Sequence, residues 1–135
     1  MQYIKSCGVV AFKRINNEIY YLIIKQTNND YGFPKGRMNK YETEIETAIR
    51  ELKEETNIEV KLKKEYRVQI EYKIPNALKT VVYFLGEVIN ENIIIQEQEV
   101  KEAYFLSYND ALNIITYNDT KNVLIEMEKF INKEV

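Results

Sequence analysis

The chain has 135 residues, 45% of them hydrophobic and 30% charged, with a formal net charge of -2, one cysteine, no histidine and no tryptophan. These proportions suit one ordinary core in a single domain spanning 1–135 and argue against a disordered or fibrous chain, while the slightly negative total argues against a broad nucleic-acid-binding surface. The absence of histidine excludes Ser-His-Asp and Cys-His nucleophile systems, His-ligated zinc and HExxH helices, so acid–base chemistry falls to carboxylates, lysine, tyrosine or metal-bound water.

At the N-terminus, Met1 to Val10 is too mixed for a signal peptide, and no later stretch approaches the roughly 20 apolar residues that span a bilayer. Cys7 has no disulfide partner, so a cytoplasmic protein without membrane association is expected, with Cys7 a small buried hydrophobe. The apolar block Cys7 to Phe12, the turn Asn16-Asn17 and the β-branched and aromatic run Tyr20 to Ile24 predict a hairpin. Tyr31-Gly32-Phe33-Pro34-Lys35-Gly36-Arg37 then predicts an irregular loop that carries two cations, because Pro34 lacks an amide donor and glycine tolerates unusual dihedrals.

A helix is expected from Thr43, where Thr43-x-x-Glu46 fits a capping box, to Asn57, a residue that accepts the left-handed conformation of a helix C-terminus. Ile45, Ala48, Ile49 and Leu52 follow the i, i+3, i+4, i+7 spacing of one buried stripe. Strands are expected over Lys64 to Ile74 and Lys79 to Val88, with short pieces over Ile93 to Ile95 and Ala103 to Leu106. In the second of these strands Tyr83 and Phe84 point to opposite faces, so one of them is expected in the core and neither is given a function. Two helical patterns follow, Tyr108 to Ile115 and Asp119 to Ile131. The element order indicates a mixed α/β fold in which helices cover a sheet.

The chemistry is expected on the first helix. At about 100° per residue from Ile45, the side chains of Glu44, Glu51 and Glu55 cluster near about −100° and Glu54 near about 180°, while Arg50 and Lys53 take the other flank. Glu51 stands one turn from Glu54 and from Glu55, where like charges repel, and a divalent cation removes that repulsion. Oxygen ligands on a rigid helix suit magnesium or manganese. A run such as Arg50 to Glu55 taken alone is more often a solvated face; the adjoining loop shifts the balance, since a Gly36 carbonyl could join a metal shell and Lys35 could meet a phosphate.

Gly36, five residues, Glu42, seven residues, then Arg50-Glu51-Leu52-Lys53-Glu54-Glu55-Thr56-Asn57-Ile58 resembles the Nudix signature G-x5-E-x7-R-E-U-x-E-E-x-G-U, in which U is a bulky aliphatic residue. Every charged position is present, and Asn57 stands where the family usually has glycine. The resemblance implies an α+β Nudix fold, a mixed sheet sandwiched between helices, and hydrolysis of nucleoside diphosphates linked to another group. It implies that Glu51, Glu54 and Glu55 bind magnesium together with the Gly36 carbonyl, that Arg50 orients the glutamates, and that Glu42 supports the loop from outside the metal shell. The general base stays open between Glu51 and Glu99, because family members differ.

Outside the signature the chain resembles the family's asymmetrical diadenosine tetraphosphate hydrolases: Cys7-Gly8 before an apolar strand, Pro34-Lys35-Gly36, Tyr72 seven residues before Lys79-Thr80-Val81, Glu99 before Phe105-Leu106, and the aromatic Tyr117. By that resemblance Tyr72 and Tyr117 sandwich an adenine, and Lys35 and Lys79 hold the polyphosphate. Read alone, Tyr72 is a packing residue of a strand and Lys79 a solvated lysine; Tyr117, in a polar stretch between helices, is less suited to a core. Asp30-Tyr31 and Arg37 replace the His-Trp and His that this subgroup often carries. Arg37 suits either an extra phosphate or an RNA backbone, which keeps open an enzyme acting on RNA 5' ends. A non-catalytic nucleotide-binding sensor is the reading from another class, and intact glutamates weigh against it. Whether the chain is a monomer or a dimer is left open.

Overall fold

The computed structural model describes residues 2–134; Met1 and Val135, the ends of the expected unit, lie outside the described residues. Strands β1 (Gln2–Ile15) and β2 (Glu18–Gln26) form the expected hairpin. Asn16 and Asn17 both take positive φ, 52° and 69°, as a two-residue turn that follows the strand twist requires. Short strands β3 (Tyr31–Gly32) and β4 (Lys35–Arg37) flank Phe33-Pro34, so the expected loop is irregular only at its centre. Helix α1 (Glu44–Thr56) precedes β5 (Glu59–Ile74), β6 (Ala77–Asn90) and β7 (Val100–Ser107), and α2 (Tyr108–Ile114) and α3 (Asn118–Lys133) close the chain.

The sheet order is β3-β2-β1-β6-β5, with β4 paired to β1 and β7 to β2. β1 runs parallel to β6 and antiparallel to β2 and β4, so the sheet is mixed. Because β1 and β6 are central, both of their faces are covered and their sequences read as unbroken apolar runs. Cys7, Val9, Ala11, Val82 and Phe84 face α1, whereas Val10, Phe12, Val81, Tyr83 and Leu85 face α2 and α3. The sandwich of helices around a mixed sheet is as expected. Tyr83 and Phe84 are both buried, one on each face of the sheet.

Three expectations are corrected. Ile49 is 45% exposed, and the buried residues of α1 are instead Thr47, Ala48, Leu52, Glu55 and Thr56. The sheet-facing stripe is therefore turned toward the glutamates. β5 begins at Glu59, five residues before the expected start, and is bulged between Lys63 and Arg67 where the charged run Lys63 to Arg67 passes along the sheet edge. Ile93 to Ile95 is no strand, because the amides of Ile94 and Gln96 donate to the carbonyls of Thr56 and Glu55, which α1 leaves without intrahelical partners at its C-terminal end.

Candidate active site

Local sequence sets both ends of α1. Thr43 and Glu46 complete the capping box, with Glu46 N donating to Thr43 Oγ1 at 3.1 Å and Thr43 N to Glu46 Oε1 at 2.9 Å. Asn57 ends the helix at φ 64°, its N–H donating to Lys53 O. Between these ends, Arg50 gathers the charged residues. Its Nε donates to Glu42 Oε2 at 2.6 Å and its Nη2 to Glu42 Oε1 at 3.0 Å, a two-point grip. Nη1 donates to Glu51 Oε1 at 2.9 Å and Glu54 Oε2 at 3.1 Å, and Nη2 also donates to Arg37 O at 3.1 Å.

Glu42 is fully engaged, since its Oε1 also accepts from Thr47 Oγ1 and Asn39 N, both at 2.8 Å. The Arg50 hydrogen bonds, then the Asn39 amide, hold its carboxyl down at about 2. Such a carboxylate has no capacity left for a metal and acts as a brace. Glu54 is half exposed and shares Arg50 Nη1 with Glu51.

Glu55 is the opposite case. It is 5% exposed, faces the sheet, and its Oε2 is buried without any hydrogen-bond partner. Burial first, then the charge of Glu51 and a carboxyl–carboxyl hydrogen bond to it, push the Glu55 pKa up to about 9; Glu99 pushes the same way and Lys35 opposes. Glu55 therefore keeps its proton at neutral pH and hydrogen-bonds to the Glu51 carboxylate. A Cβ on residue 36 would overlap the Glu51 carboxyl, so only glycine lets this carboxylate lie against the main chain of β4. A buried oxygen without a donor, a like-charged neighbour and an adjacent main chain with no side chain form a set that fits a hard divalent cation at Glu55, Glu51 and Gly36. Among the described residues no third acidic side chain closes this group.

Beside the carboxylates lies a cavity of about 530 Å³, lined by Lys35, Tyr72, Lys79, Tyr117, Phe33 and Tyr83 among others. β5 and β6 pair Tyr72 directly with Lys79, whose Nζ stands 5.9 Å from the Tyr72 ring centre. Lys35 and Lys79 are half-buried, and burial lowers both pKa values; each cation's neighbour, Lys79 for Lys35 and Arg37 for Lys79, lowers them further. Among the described residues Lys35, Arg37 and Lys79 have no carboxylate ion pair. Cations crowded together without counter-charges create a local positive field, which would suit an anion. Gly8 allows this crowding, because a Cβ there would strike Pro34 O and the Lys35 side chain.

Tyr117, 58% exposed, closes the far side, its hydroxyl donating to Asp30 Oδ2 at 2.8 Å. Asp30 is held in turn by Asn28, whose Oδ1 accepts from Asp30 N at 2.9 Å. The β3 loop is docked to the α2–α3 link by Tyr31 N donating to Thr116 Oγ1 and Thr116 N donating to Tyr31 O. The structure thus brings Lys35, Tyr72, Lys79 and Tyr117 into one cavity, whereas Arg37 is exposed and does not line it, although its charge reaches Lys79. Sequence reasoning missed Asp30 as the partner of Tyr117 and missed Asp119 and Thr120 as lining residues. A contact that spans 87 residues leaves no local pattern to find.

The family model of the NUDIX domain matches residues 5–127. The asymmetrical bis(5'-nucleosyl)-tetraphosphatase of Mus musculus is 29% identical over 140 aligned positions, covering 95% of each chain. The protein of the same name from Caenorhabditis elegans is 24% identical, over 95% of this chain and 96% of its own. In three dimensions the chain is similar to a crystal structure of a C. elegans Ap4A hydrolase binary complex, with a TM-score of 0.89 at 24% identity over 96% of this chain and 98% of the other.

Proposed function

Since the chain belongs to the Nudix hydrolase family, we propose that it hydrolyses dinucleoside polyphosphates with magnesium or manganese as cofactor, releasing ATP and AMP from diadenosine tetraphosphate. The observation that carries this reading is the continuity of the two halves of the site: Lys35 lines the aromatic cavity and is also close enough to Glu51 and Glu55 to feel their charges. The relatives named as asymmetrical bis(5'-nucleosyl)-tetraphosphatases point the same way. A cavity of about 530 Å³ suits one nucleotide half of the substrate.

In this reading Tyr72 and Tyr117 stack on an adenine, and Lys35, Lys79 and Arg37 neutralise the polyphosphate. Glu51, Glu55 and the Gly36 carbonyl hold the cation, with Glu54 joining if it leaves Arg50. Arg50 orients Glu51, and Glu42 fixes Arg50. The cation, when bound, neutralises charge on the phosphates and acidifies water. We place the general base at Glu99, because Glu51 is already shared between Arg50 and Glu55, whereas the exposed Glu99 side chain has no ion-pair partner among the described residues. Water attacks one phosphorus, its proton passes to Glu99, and the P–O bond to the leaving nucleotide breaks. The single unit 1–135 and a cytoplasmic location belong to the same proposal, supported by the family match over 5–127 and by the lone buried Cys7.

The test is product analysis by chromatography over a panel of dinucleoside polyphosphates, nucleoside diphosphate derivatives and triphosphorylated RNA, with and without magnesium. ATP plus AMP is expected from diadenosine tetraphosphate. Two ADP molecules, or a large preference for RNA, would overturn the substrate assignment. Arg37, exposed beside Lys79, is the feature that an RNA 5' end would use. Nucleotide binding without turnover would favour a sensor.

A further inference from the structure

We propose that Asn57 is a positioning residue for Glu99: it straps residues 91–99 to the C-terminal end of α1, and so sets where Glu99 stands relative to Glu51 and Glu55. The proposal rests on the general-base reading of Glu99 given above. Asn57 occupies the position where the signature usually has glycine, and its backbone does what glycine would do, taking φ 64° and donating its N–H to Lys53 O at 2.9 Å. Its side chain does something glycine cannot. Nδ2 donates to Asn92 O at 2.8 Å, reaching a carbonyl 35 residues away that plays no part in ending the helix.

From that tie the chain runs along the end of α1 as a series of hydrogen bonds. Ile94 N donates to Thr56 O and Gln96 N to Glu55 O, both at 3.0 Å. Gln96 O then accepts from Glu99 N at 2.9 Å and Val100 N at 2.8 Å, and Glu99 O accepts from Thr27 N at 3.1 Å. The peptide carbonyl of Glu55 is thus two hydrogen bonds from the amide of Glu99. The entry to the segment is held independently, by Asn92 N on Asn90 Oδ1 and Asn90 Nδ2 on Glu59 Oε2. The Asn57 amide is the tie from the end of α1 that depends on a side chain instead of main chain, so it can be removed without disturbing the others. Outer groups that hold active-site residues in this way typically carry a measurable share of the activity.

The experiment compares Asn57→Gly and Asn57→Asp in the full chain. Glycine keeps the left-handed backbone and removes the amide; aspartate keeps size and tolerance for this backbone but has no donor for Asn92 O. Hydrogen exchange on the metal-free protein is expected to speed up about fivefold at Ile94, Gln96 and Glu99, with the amides inside α1 unchanged. Turnover of diadenosine tetraphosphate is expected to fall about tenfold in kcat with KM little changed. Combined with Glu99→Gln, Asn57→Gly should cost nothing further. Unchanged exchange in both variants, unchanged kcat despite faster exchange, a Glu99→Gln variant at full rate, or losses that simply add would each overturn the proposal. A wild-type protein without turnover would instead sink the hydrolase reading, and with it a role for Asn57 in placing a base, while the exchange data would still show whether the strap exists.

Discussion

Glu42 and Glu55 lie on opposite sides of Arg50 in the same signature, yet one carboxyl is held down at about 2 and the other pushed up to about 9. Glu42 accepts from Arg50, Thr47 and Asn39 and has nothing left to give. Glu55 is buried against a second carboxylate with an oxygen that no protein donor reaches. The contrast separates a satisfied carboxylate from an unsatisfied one without reference to any relative, and it is the unsatisfied one that the proposed function assigns to the cation. The cations divide in the same way, Arg50 being saturated with carboxylates while Lys35 and Lys79 crowd each other without any among the described residues.

This division can be broken from either side. The largest effect is expected from Glu55→Gln, which keeps shape and removes the charge: kcat should fall by about a thousandfold in a steady-state assay with saturating magnesium. Near-full activity would show that Glu55 is not a cation ligand. On the brace, Arg50→Lys is expected to cost about ten- to a hundredfold in activity, because a lysine ammonium cannot grip Glu42 at two points while holding Glu51. A lysine variant at wild-type rate would mean that charge alone suffices.

The smallest effect sharpens the contrast best, since the two glutamates must act on stability with opposite sign. Glu55 holds its proton in the folded state up to about 9 but loses it near 4.5 when unfolded, so the stability of the metal-free protein should be highest below 4.5 and decline as pH rises toward 9. Glu42, depressed to about 2, contributes stability above 4.5 that is lost as pH falls toward 2. Thermal unfolding against pH should therefore show two separate limbs. Glu55→Gln should flatten the alkaline limb alone and abolish the rise in Tm on adding magnesium at pH 8; an alkaline limb that persists in this variant would assign it elsewhere.

Much of the site was legible because its signals are local. The capping box at Thr43, the left-handed end at Asn57 and the spacing from Gly36 through Glu42 to Glu55 all act within a helix and the loop before it, where sequence separation maps directly onto geometry. The wheel failed in one instructive respect. It centred the buried face on the aliphatic residues and so buried Ile49, whereas the sheet takes the arc from Thr47 to Thr56 and draws Glu55 inward. Hydrophobicity alone does not anticipate a buried carboxylate, because a carboxylate's burial is decided by the tertiary environment and not by its hydropathy.

The sequence by itself determined most of the elements and their order, the spacing that gathers the candidate residues on α1 and the loop before it, and the absence of any histidine chemistry. Periodicity, caps and fixed spacing are properties of neighbouring residues, so they survive without a third dimension. Only the tertiary structure decided which glutamate is buried and which is braced, that Asp30 meets Tyr117, that Tyr72 pairs with Lys79 to wall a cavity, and that residues 93–95 feed the end of α1 instead of a sheet. Each of these depends on what the rest of the chain places opposite a side chain, and on how much water that neighbour excludes.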